Sequence, residues 1–588
     1  MKVRFLSCLF LVGALSAQTP FFPLKDLRPG MKGAGKTVFS GGKIEDFQVE
    51  ILGVLKNAGP KQDIVLARLS GGPLAETGVM QGMSGSPVYI DGRLLGAVAL
   101  GFPFSKEPIA GIRPIEEMLS VAEPAPSRTA RLRPIPWNAE VSLERSLPPR
   151  EDVLAGGSRM LEIATPVSFS GFTRGTIEHF SAQLGALGLE PRQGMAGGGA
   201  SEQQMGDPSQ LRPGAMISVQ LLSGDMTVGA DGTVTYIDGR RIYAFGHRFM
   251  ALGPAEMPFA RSEVLALLPN LSSSFKISTA RELLGTITAD RSTAIAGELG
   301  RRAAMIPVTI SMRRRDSASA PIVYRMQMVR DGVISPFLLQ MAVFSAIDAT
   351  ERTVGASSFA LRGQIELEQG AAPVRLDNMY TGDMNLPVQV AAGAAVPLAY
   401  LMQSGFQTLR PKGITLDIES FPHKRQLQID QVLSSRREVR PGESLELTVV
   451  LTGENGFETT RKVTYRVPVG APAGPLLFTA ADANTINIAE YRQMLTSSPA
   501  NAAQLLEFMN GLRVNTKGYV RVWRADPSYD VQGENLPDPP ASVAMILSKL
   551  QPSPGLTTPA NSKVAEFEFS AGDMVVSGSK TIQVEVKE

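Results

Sequence analysis

Short apolar runs, each bounded by glycine or proline, fill the chain between residues 19 and 119. Examples lie at residues 47–51, 64–67 and 87–90. Runs of this length, rich in β-branched residues and flanked by turn formers, are typical of β-strands. Similar runs resume at residue 216 and continue to about residue 328. The pattern therefore predicts a mainly β protein over much of the N-terminal half.

Longer apolar stretches predict a few helices among these strands. Residues 168–187 can hold one helix, and residues 486–512 have helical character. Ser335 and Pro336 look like an N-cap followed by proline at the first helical position, opening an apolar helix over residues 337–347. At about 11 residues this helix is too short to span a membrane, so it is predicted to be buried.

Alternating patterns return towards the C terminus. Residues 445–449 and 463–467 alternate apolar with polar positions on either side of a turn at 453–456. This arrangement predicts part of a small Ig-like β-sandwich over residues 426–468. Residues 564–586 are predicted to close the chain as a hairpin.

One short segment occurs twice. Val-Tyr-Ile-Asp-Gly-Arg at residues 88–93 returns as Thr-Tyr-Ile-Asp-Gly-Arg at residues 235–240. In both copies Asp-Gly between apolar runs predicts a two-residue hairpin turn. Two related hairpins suggest two similar β half-barrels. The alternative is that this segment is merely a common hairpin sequence.

Composition narrows the class of protein. The 58 Lys and Arg residues against 56 Asp and Glu residues give a net charge of +2, which disfavours nucleic-acid binding by bulk electrostatics. Gly 57 and Pro 42 together make 99 of 588 residues, above the average share of about 12%. Without a collagen period or long charged runs, this excess favours a turn-rich β protein over a disordered one.

Residues 1–17 have the parts of a secretory signal peptide: Lys2 and Arg4 at the start, an apolar core over 5–15, and small residues before the cleavage point. Cleavage there removes Cys8, the only cysteine, so we expect no disulfide and no cysteine-ligated metal in the mature chain. We also expect no cofactor. No later apolar run reaches the ~18 residues of a membrane span. We therefore expect an exported protein without a transmembrane anchor, in the periplasm, on the cell surface or in the medium.

The strongest chemical motif is Gly-Met-Ser-Gly-Ser-Pro at residues 82–87. A serine between glycines on a tight turn is expected to expose its hydroxyl, and its small neighbours admit a substrate carbonyl. The turn can also direct the N–H groups of Gly82 and Ser84 at a developing oxyanion. Ser84 is therefore the candidate nucleophile. An ordinary Gly/Ser loop is the alternative, which the predicted hairpin after the motif disfavours.

A serine nucleophile needs a base, and the chain has three histidines. His179 lies on the predicted helix and is expected at the surface, while His423 lies in a turn outside the barrel-like region. His247 ends the strand of the second repeated hairpin, and the preceding Gly246 leaves space around its ring. These positions favour His247 as the general base.

The carboxylate that would orient this histidine is harder to choose. Asp63 lies in a polar turn at the start of the apolar strand over 64–67. Asp91 and Asp238 are more simply explained by their hairpin turns, and Asp225 is a weaker alternative. Asp63 is therefore the preferred candidate.

Residues 30–119, above all 77–87 and 91–98, resemble the SpoIVB-type serine peptidases, the stage IV sporulation signalling proteases with a trypsin-like fold. The stretch 232–247 resembles the part of that family that carries the catalytic histidine. Trypsin-like proteases also present their triad aspartate in an Asp-Ile-x-Leu context, as around Asp63. The resemblance covers about 200 residues in two pieces. It implies a protein or peptide substrate and a Ser/His/Asp site.

Two features depart from that family. Its catalytic order is His, Asp, Ser after a PDZ domain, whereas this chain has the order Asp63, Ser84, His247 and no recognisable PDZ segment. A circularly permuted double barrel would preserve the geometry, and triads are recognised by geometry and not by chain order. The family's aspartate also lies shortly before its serine, where this chain has Ser-Gly-Gly-Pro at residues 70–73.

Residues 30–37 fit the phosphate-loop pattern G-x4-G-K-[ST]. A functional phosphate loop follows a buried strand and opens a helix, but the residues around this segment predict strand and turn. No nucleotide is therefore expected. The run Arg313-Arg314-Arg315 is predicted to be a solvated strand edge and not a binding patch.

Taken together, these patterns predict a mainly β, trypsin-like double β-barrel with accessory C-terminal β domains, acting as an exported serine endopeptidase. The alternatives are an inactive protease-like scaffold that binds peptides or cell-envelope partners, and a module that processes itself. The predicted division is a signal peptide at 1–17, a serine-bearing half-barrel at 18–122, a Pro/Arg-rich linker at 123–160, a histidine-bearing half-barrel at 161–345, a connecting region at 346–425, an Ig-like region at 426–470 and an α+β region at 471–588.

Overall fold

The computed structural model is mainly β, as predicted, with 51% of the described residues in strands and 21% in helices. The predicted signal peptide lies outside the described residues, as does most of the predicted linker. The structure describes residues 20–122, 140–143, 147, 152–155, 158–194, 204–350, 355–497, 499, 501–524, 528–531, 534–537, 539–550, 556–557 and 562–588.

The first six strands form a closed antiparallel barrel. They pair in the order β4-β1-β2-β3-β6-β5, and β5 returns to β4. Phe47 and Val65 are among the side chains that fill its interior. Strands β7 and β8 extend the barrel through β5. The elements are β1 Lys32–Ser40, β2 Lys43–Gly59, β3 Gln62–Ser70, α1 Leu74–Thr77, β4 Pro87–Ile90, β5 Arg93–Gly101, β6 Ile109–Pro114, α2 Ile115–Leu119, β7 Asp152–Ala155 and β8 Ser158–Glu162.

A second six-stranded ring follows in the chain. Strands β12-β13-β16-β15-β14-β11 pair in that order, and β11 closes on β12. Counted along the chain, both rings have the strand order 1-2-3-6-5-4, so the double barrel is confirmed. The elements are β9 Thr165–Ser170, α3 Arg174–Ala186, β10 Leu189–Gln193, β11 Met216–Gly224, β12 Thr227–Asp238, β13 Arg241–Ala244, β14 Gly253–Leu268, β15 Phe275–Arg291 and β16 Ala294–Leu299.

The two repeated hairpins exist, but they occupy different places in the two rings. The first joins β4 to β5, strands four and five of its barrel, whereas the second joins β12 to β13, strands two and three of its barrel. Their turns also differ. Asp91-Gly92 forms the first turn, while Asp238 still pairs with Arg241, so Gly239-Arg240 forms the second. The two barrels share one topology. The repeated segment does not explain this similarity, because its two copies lie between different strands of their rings.

Five more strands and two apolar helices cover the second barrel. The strands continue its sheet as β18-β17-β21-β19-β20, and the helices α4 and α5 pack on each other in the largest hydrophobic core. The elements are β17 Met305–Arg314, β18 Ile322–Val329, α4 Ile334–Thr350, β19 Ser357–Leu367, β20 Val374–Gly382, α5 Leu386–Gln403 and β21 Pro411–Phe421.

Two details of these helices differ from the sequence expectations. Helix α4 already begins at Ile334, and the carboxylate of Asp331 accepts the N–H groups of Val333 (2.8 Å) and Ile334 (2.9 Å). Asp331 is therefore the cap in place of Ser335. Helix α5 was not predicted; its 18 residues are apolar enough to cross a membrane, yet 72% of them are buried inside the molecule.

The C-terminal part forms two larger sheets and one small one. The predicted β-sandwich strands occur as β22, β24 and β25, but 564–586 is not a hairpin, because β31 pairs with β27 and β33 with β26. The elements are β22 Gln426–Ser434, β23 Glu438–Val439, β24 Ser444–Thr452, β25 Glu458–Arg466, β26 Gly474–Asp482, α6 Ala483–Ser497, α7 Ala502–Asn510, β27 Lys517–Arg524, β28 Ser528–Val531, β29 Glu534–Pro537, α8 Ala541–Lys549, β30 Leu556–Thr557, β31 Ser562–Ser570, β32 Val575–Ser577 and β33 Ser579–Val586.

Candidate active site

Ser84 and His247 occupy equivalent connections of the two barrels. Ser84 lies between β3 and β4, the third and fourth strands of the first ring. His247 lies between β13 and β14, the third and fourth strands of the second ring. Because both rings have the same strand order, the two residues have the same topological position, one in each barrel.

The backbones of the two barrels touch directly at Ser84. The N–H of Thr233 donates to the carbonyl oxygen of Ser84 (2.8 Å), and the Thr235 hydroxyl donates to that of Gly85 (2.7 Å). A Cβ atom on Gly85 would lie 2.0 Å from the Thr233 oxygen and 2.5 Å from the nitrogen of Phe245. No side chain fits there, so glycine is required for this contact.

Both segments also meet on strand β5. The N–H of Gly85 donates to the carbonyl oxygen of Val98 (2.8 Å). A Cβ atom on Gly246 would lie 3.1 Å from the Cβ of Ala97 and 3.3 Å from that same Val98 oxygen. The residues that flank Ser84 and His247 therefore share a single strand as their support.

Ser84 is fully buried, which corrects the expectation of an exposed hydroxyl. The segment 82–86 is enclosed because it packs against the second barrel, where the Thr233 hydroxyl donates to the Gly82 carbonyl (2.9 Å). Within the described part of the chain, Ser84 Oγ makes no hydrogen bond. A hydrogen bond from Ser84 to His247 is therefore not formed here, and their action as one unit stays a prediction.

The hydrogen bonding of His247 fixes its tautomer. The ring is 2% exposed, and Nδ1 lies 2.6 Å from the carbonyl oxygen of Arg248. Because a carbonyl oxygen only accepts, Nδ1 must carry the proton. In the neutral ring Nε2 then holds the lone pair, the form that a general base requires.

Residues 29–119 match the family model described as the SpoIVB peptidase S55. The matched stretch contains the whole first barrel and Ser84. Over this segment the chain is similar to the SpoIVB peptidase family. The match indicates a peptidase, and therefore a protein substrate, at the level of the family. It does not extend to residues 232–247, and no curated protein or solved structure gives a significant match.

Asp63 stabilises the β2–β3 hairpin. Its carboxylate accepts the N–H of Asn57 (2.8 Å), and its own N–H donates to the carboxylate of Glu117 in α2 (2.7 Å). Both contacts stay within the first barrel and its flanking helix. Its assignment as the carboxylate that orients His247 stays a prediction.

A different carboxylate, which the sequence reasoning missed, holds the segment that follows His247. Asp290, at the end of β15, is fully buried and accepts the N–H groups of Phe249 (2.8 Å), Met250 (2.8 Å) and Leu252 (3.2 Å). Burial raises the pKa of Asp290 to about 6, although these donors act in the opposite direction. Asp290 therefore fixes the backbone that carries the histidine.

Two N–H groups of the turn around Ser84 are left without a hydrogen-bond acceptor in the described ranges. The N–H groups of Met83, Gly85 and Ser86 donate to backbone carbonyls. Those of Gly82 and Ser84 donate to no other residue in the described ranges. These two are the groups that the sequence analysis predicts as oxyanion donors, and that role stays a prediction.

The remaining candidates lie outside this site. His179 on α3 is exposed, as predicted, and contacts the Glu140 carboxylate (2.7 Å), and His423 is exposed as well. Asp225 accepts the N–H of Arg325 (2.7 Å). The phosphate-loop pattern continues as strand β1, as predicted, and Arg313, Arg314 and Arg315 are exposed at the end of β17.

Proposed function

We propose that this protein is an exported serine endopeptidase in which Ser84 is the nucleophile and His247 the general base. The observation that carries the proposal is the direct backbone contact between the two barrels at Gly85. That contact brings the third-to-fourth strand connections of both rings to one place. The family match over the first barrel supports a peptidase, and the signal peptide supports export.

In the proposed first step, Ser84 Oγ attacks the carbonyl carbon of the substrate peptide, and its proton passes to Nε2 of His247. The N–H groups of Gly82 and Ser84 stabilise the negative charge that forms on the former carbonyl oxygen. The carbon–nitrogen bond then breaks, and the leaving amine takes the proton from His247. A water molecule, deprotonated by His247, hydrolyses the serine ester and restores the hydroxyl.

Two groups supply the orientation that an aspartate supplies in a Ser/His/Asp triad. The Arg248 carbonyl accepts the Nδ1 proton of His247 and so sets the tautomer. The carboxylate of Asp290 holds the next turn of the chain through three N–H groups. A misplaced base loses proton-transfer efficiency, because catalysis depends on near-attack geometry.

Replacing Asp290 and Asp63 separately tells their roles apart. We expect Asp290→Asn to lower the rate of reaction with a fluorophosphonate probe by about 100-fold, because an amide cannot accept all three N–H groups. We expect Asp63→Asn to stay within about tenfold of the wild type, since it affects only the hairpin. A loss of several orders of magnitude in Asp63→Asn alone would instead assign Asp63 to the triad.

The role of His247 is tested by the same probe. His247→Ala is expected to slow phosphonylation by at least about 1000-fold at neutral pH, because no other base then takes the serine proton. The matched control is His423→Ala, which removes an exposed histidine and should leave the rate unchanged. An unchanged rate in His247→Ala would contradict the proposal.

The complete burial of Ser84 favours one second candidate, a protease-like scaffold that binds peptides or envelope partners without cleaving them. In an active enzyme, segment 82–86 must open to admit the substrate. In a scaffold the hydroxyl stays enclosed and the protein never reacts with the probe. A module that processes itself once would label but would not turn over an added peptide, so labelling and turnover together separate the three functions.

A further inference from the structure

A buried lysine that the proposed mechanism does not use lies beside the Ser84 turn. Lys276 belongs to strand β15 of the second barrel and is 2% exposed. Its Nζ donates to Oγ1 of Thr37 in strand β1 of the first barrel (2.9 Å). The side chain therefore crosses from the barrel that carries His247 into the barrel that carries Ser84.

Lys276 contacts the first residue of segment 82–86 directly and is linked to the last one through Thr37. Its aliphatic stem packs on Gly82, since a Cβ atom placed there would lie 3.2 Å from Cδ and 3.4 Å from Cγ of the lysine. The hydroxyl of Ser86 donates to the same Thr37 oxygen that accepts from the lysine (3.0 Å). One side chain is thus linked to the start of the turn by packing and to its end through a shared hydrogen-bond acceptor.

The charge on this lysine has a buried counterpart. Asp231 in β12 is 3% exposed and attracts the lysine. Its carboxylate accepts the hydroxyls of Ser278 (2.8 Å) and Ser262 (3.2 Å). Burial lowers the pKa of Lys276 to about 7 and raises that of Asp231 to about 6.

Stability alone does not account for this arrangement. Taking an ammonium and a carboxylate out of water costs free energy that their attraction often fails to recover, and apolar residues of the same volume are frequently as stable or more so. A lysine at this point fills the space beside Gly82 as a methionine would. What methionine lacks is the hydrogen bond to Thr37, and through it the link to Ser86.

We propose that Lys276 is a positioning residue for the nucleophile, holding segment 82–86 through Thr37 and Gly82 so that the Gly82 and Ser84 N–H groups face the oxyanion. This inference rests on the proposed function. It adds a residue from the opposite barrel that acts on the turn and does not touch the substrate.

The test measures inactivation by a fluorophosphonate probe in Lys276→Met and Thr37→Val. Each variant is expected to lower the maximal inactivation rate by about 100-fold while leaving the half-saturating probe concentration unchanged, because misplacement affects the reaction and not binding. The double variant should lose no more than Lys276→Met alone, since both changes break one chain of contacts. Thr37→Ser keeps the acceptor and should restore most of the rate. Lys43→Met, at an exposed lysine, is the matched control.

Additive losses in the double variant, or a change confined to the half-saturating concentration, would overturn the inference. Hydrogen exchange of the amides of Met83, Gly85 and Ser86 gives a readout that does not depend on activity. Lys276→Met and Thr37→Val should both speed exchange there by about tenfold or more, and unchanged exchange would contradict the positioning role. If the wild type never reacts with the probe but exchange responds as expected, the proposed function fails while the link from Lys276 to the turn stands.

Discussion

Replacing Ser84 with alanine is expected to abolish both fluorophosphonate labelling and cleavage of a fluorescent casein substrate. The hydroxyl forms the covalent bond in the proposed reaction, so no residual labelling should remain at this site. The fold should be unharmed. Because Ser84 Oγ is buried and makes no hydrogen bond in the described structure, its removal should raise the free energy of unfolding by ~1 kcal/mol.

Ser86→Ala is the matched control in the same motif. Ser86 donates to Thr37, so its loss should slow labelling without abolishing it. Urea unfolding monitored by circular dichroism checks stability in both variants. Labelling of Ser84→Ala at the wild-type rate would remove Ser84 from the mechanism. If Ser86→Ala does not react with the probe while Ser84→Ala still does, the nucleophile is Ser86 and not Ser84.

Gly85→Ala is expected to have the largest effect on structure. Gly85 has a φ of 91°, and the new Cβ would overlap the Thr233 carbonyl oxygen and the Phe245 nitrogen. Backbone atoms on both sides cannot yield as a flexible side chain does, so the two barrels must separate locally. We expect a loss of about 3–5 kcal/mol of unfolding free energy and at least a 100-fold loss of labelling rate.

Gly92→Ala isolates the effect of backbone conformation from that of contact. Gly92 also has a positive φ of 74°, but a Cβ there meets nothing within 4 Å. It should therefore cost only ~1 kcal/mol, from strain in the hairpin turn, and leave labelling unchanged. Equal losses in the two glycine variants would show that contact between the barrels at Gly85 is unimportant.

The double barrel was predictable because two signals indicated the same fold. The short apolar runs predicted many β-strands, and the family resemblance around Ser84 implied a trypsin-like barrel. The strand order within each barrel was not predictable, because alternation along one strand says nothing about which strand it pairs with. The repeated Tyr-Ile-Asp-Gly segment illustrates this limit. It forms a hairpin in both places, yet the second copy turns one residue later, at Gly239, and lies between different strands of its ring.

Ser84, Gly82 and His247 were chosen as candidates from local sequence, and their roles stay predictions. The expected exposure of Ser84 was wrong, because its burial depends on packing against residues about 150 positions away in the chain. Asp290 and Lys276 were missed for the same reason. Each lies at one end of the long strand β15, and only closure of the second ring and its contact with the first bring them to the segments that carry Ser84 and His247.

The central claim, that Ser84 and His247 act as one unit, is tested most directly by a crystal structure of the phosphonylated protein. The account predicts phosphorus bonded to Ser84 Oγ, with Nε2 of His247 within ~3.5 Å of that oxygen or one bridging water away. An adduct on another residue would contradict the account. So would a separation of more than about 6 Å, which one water cannot span.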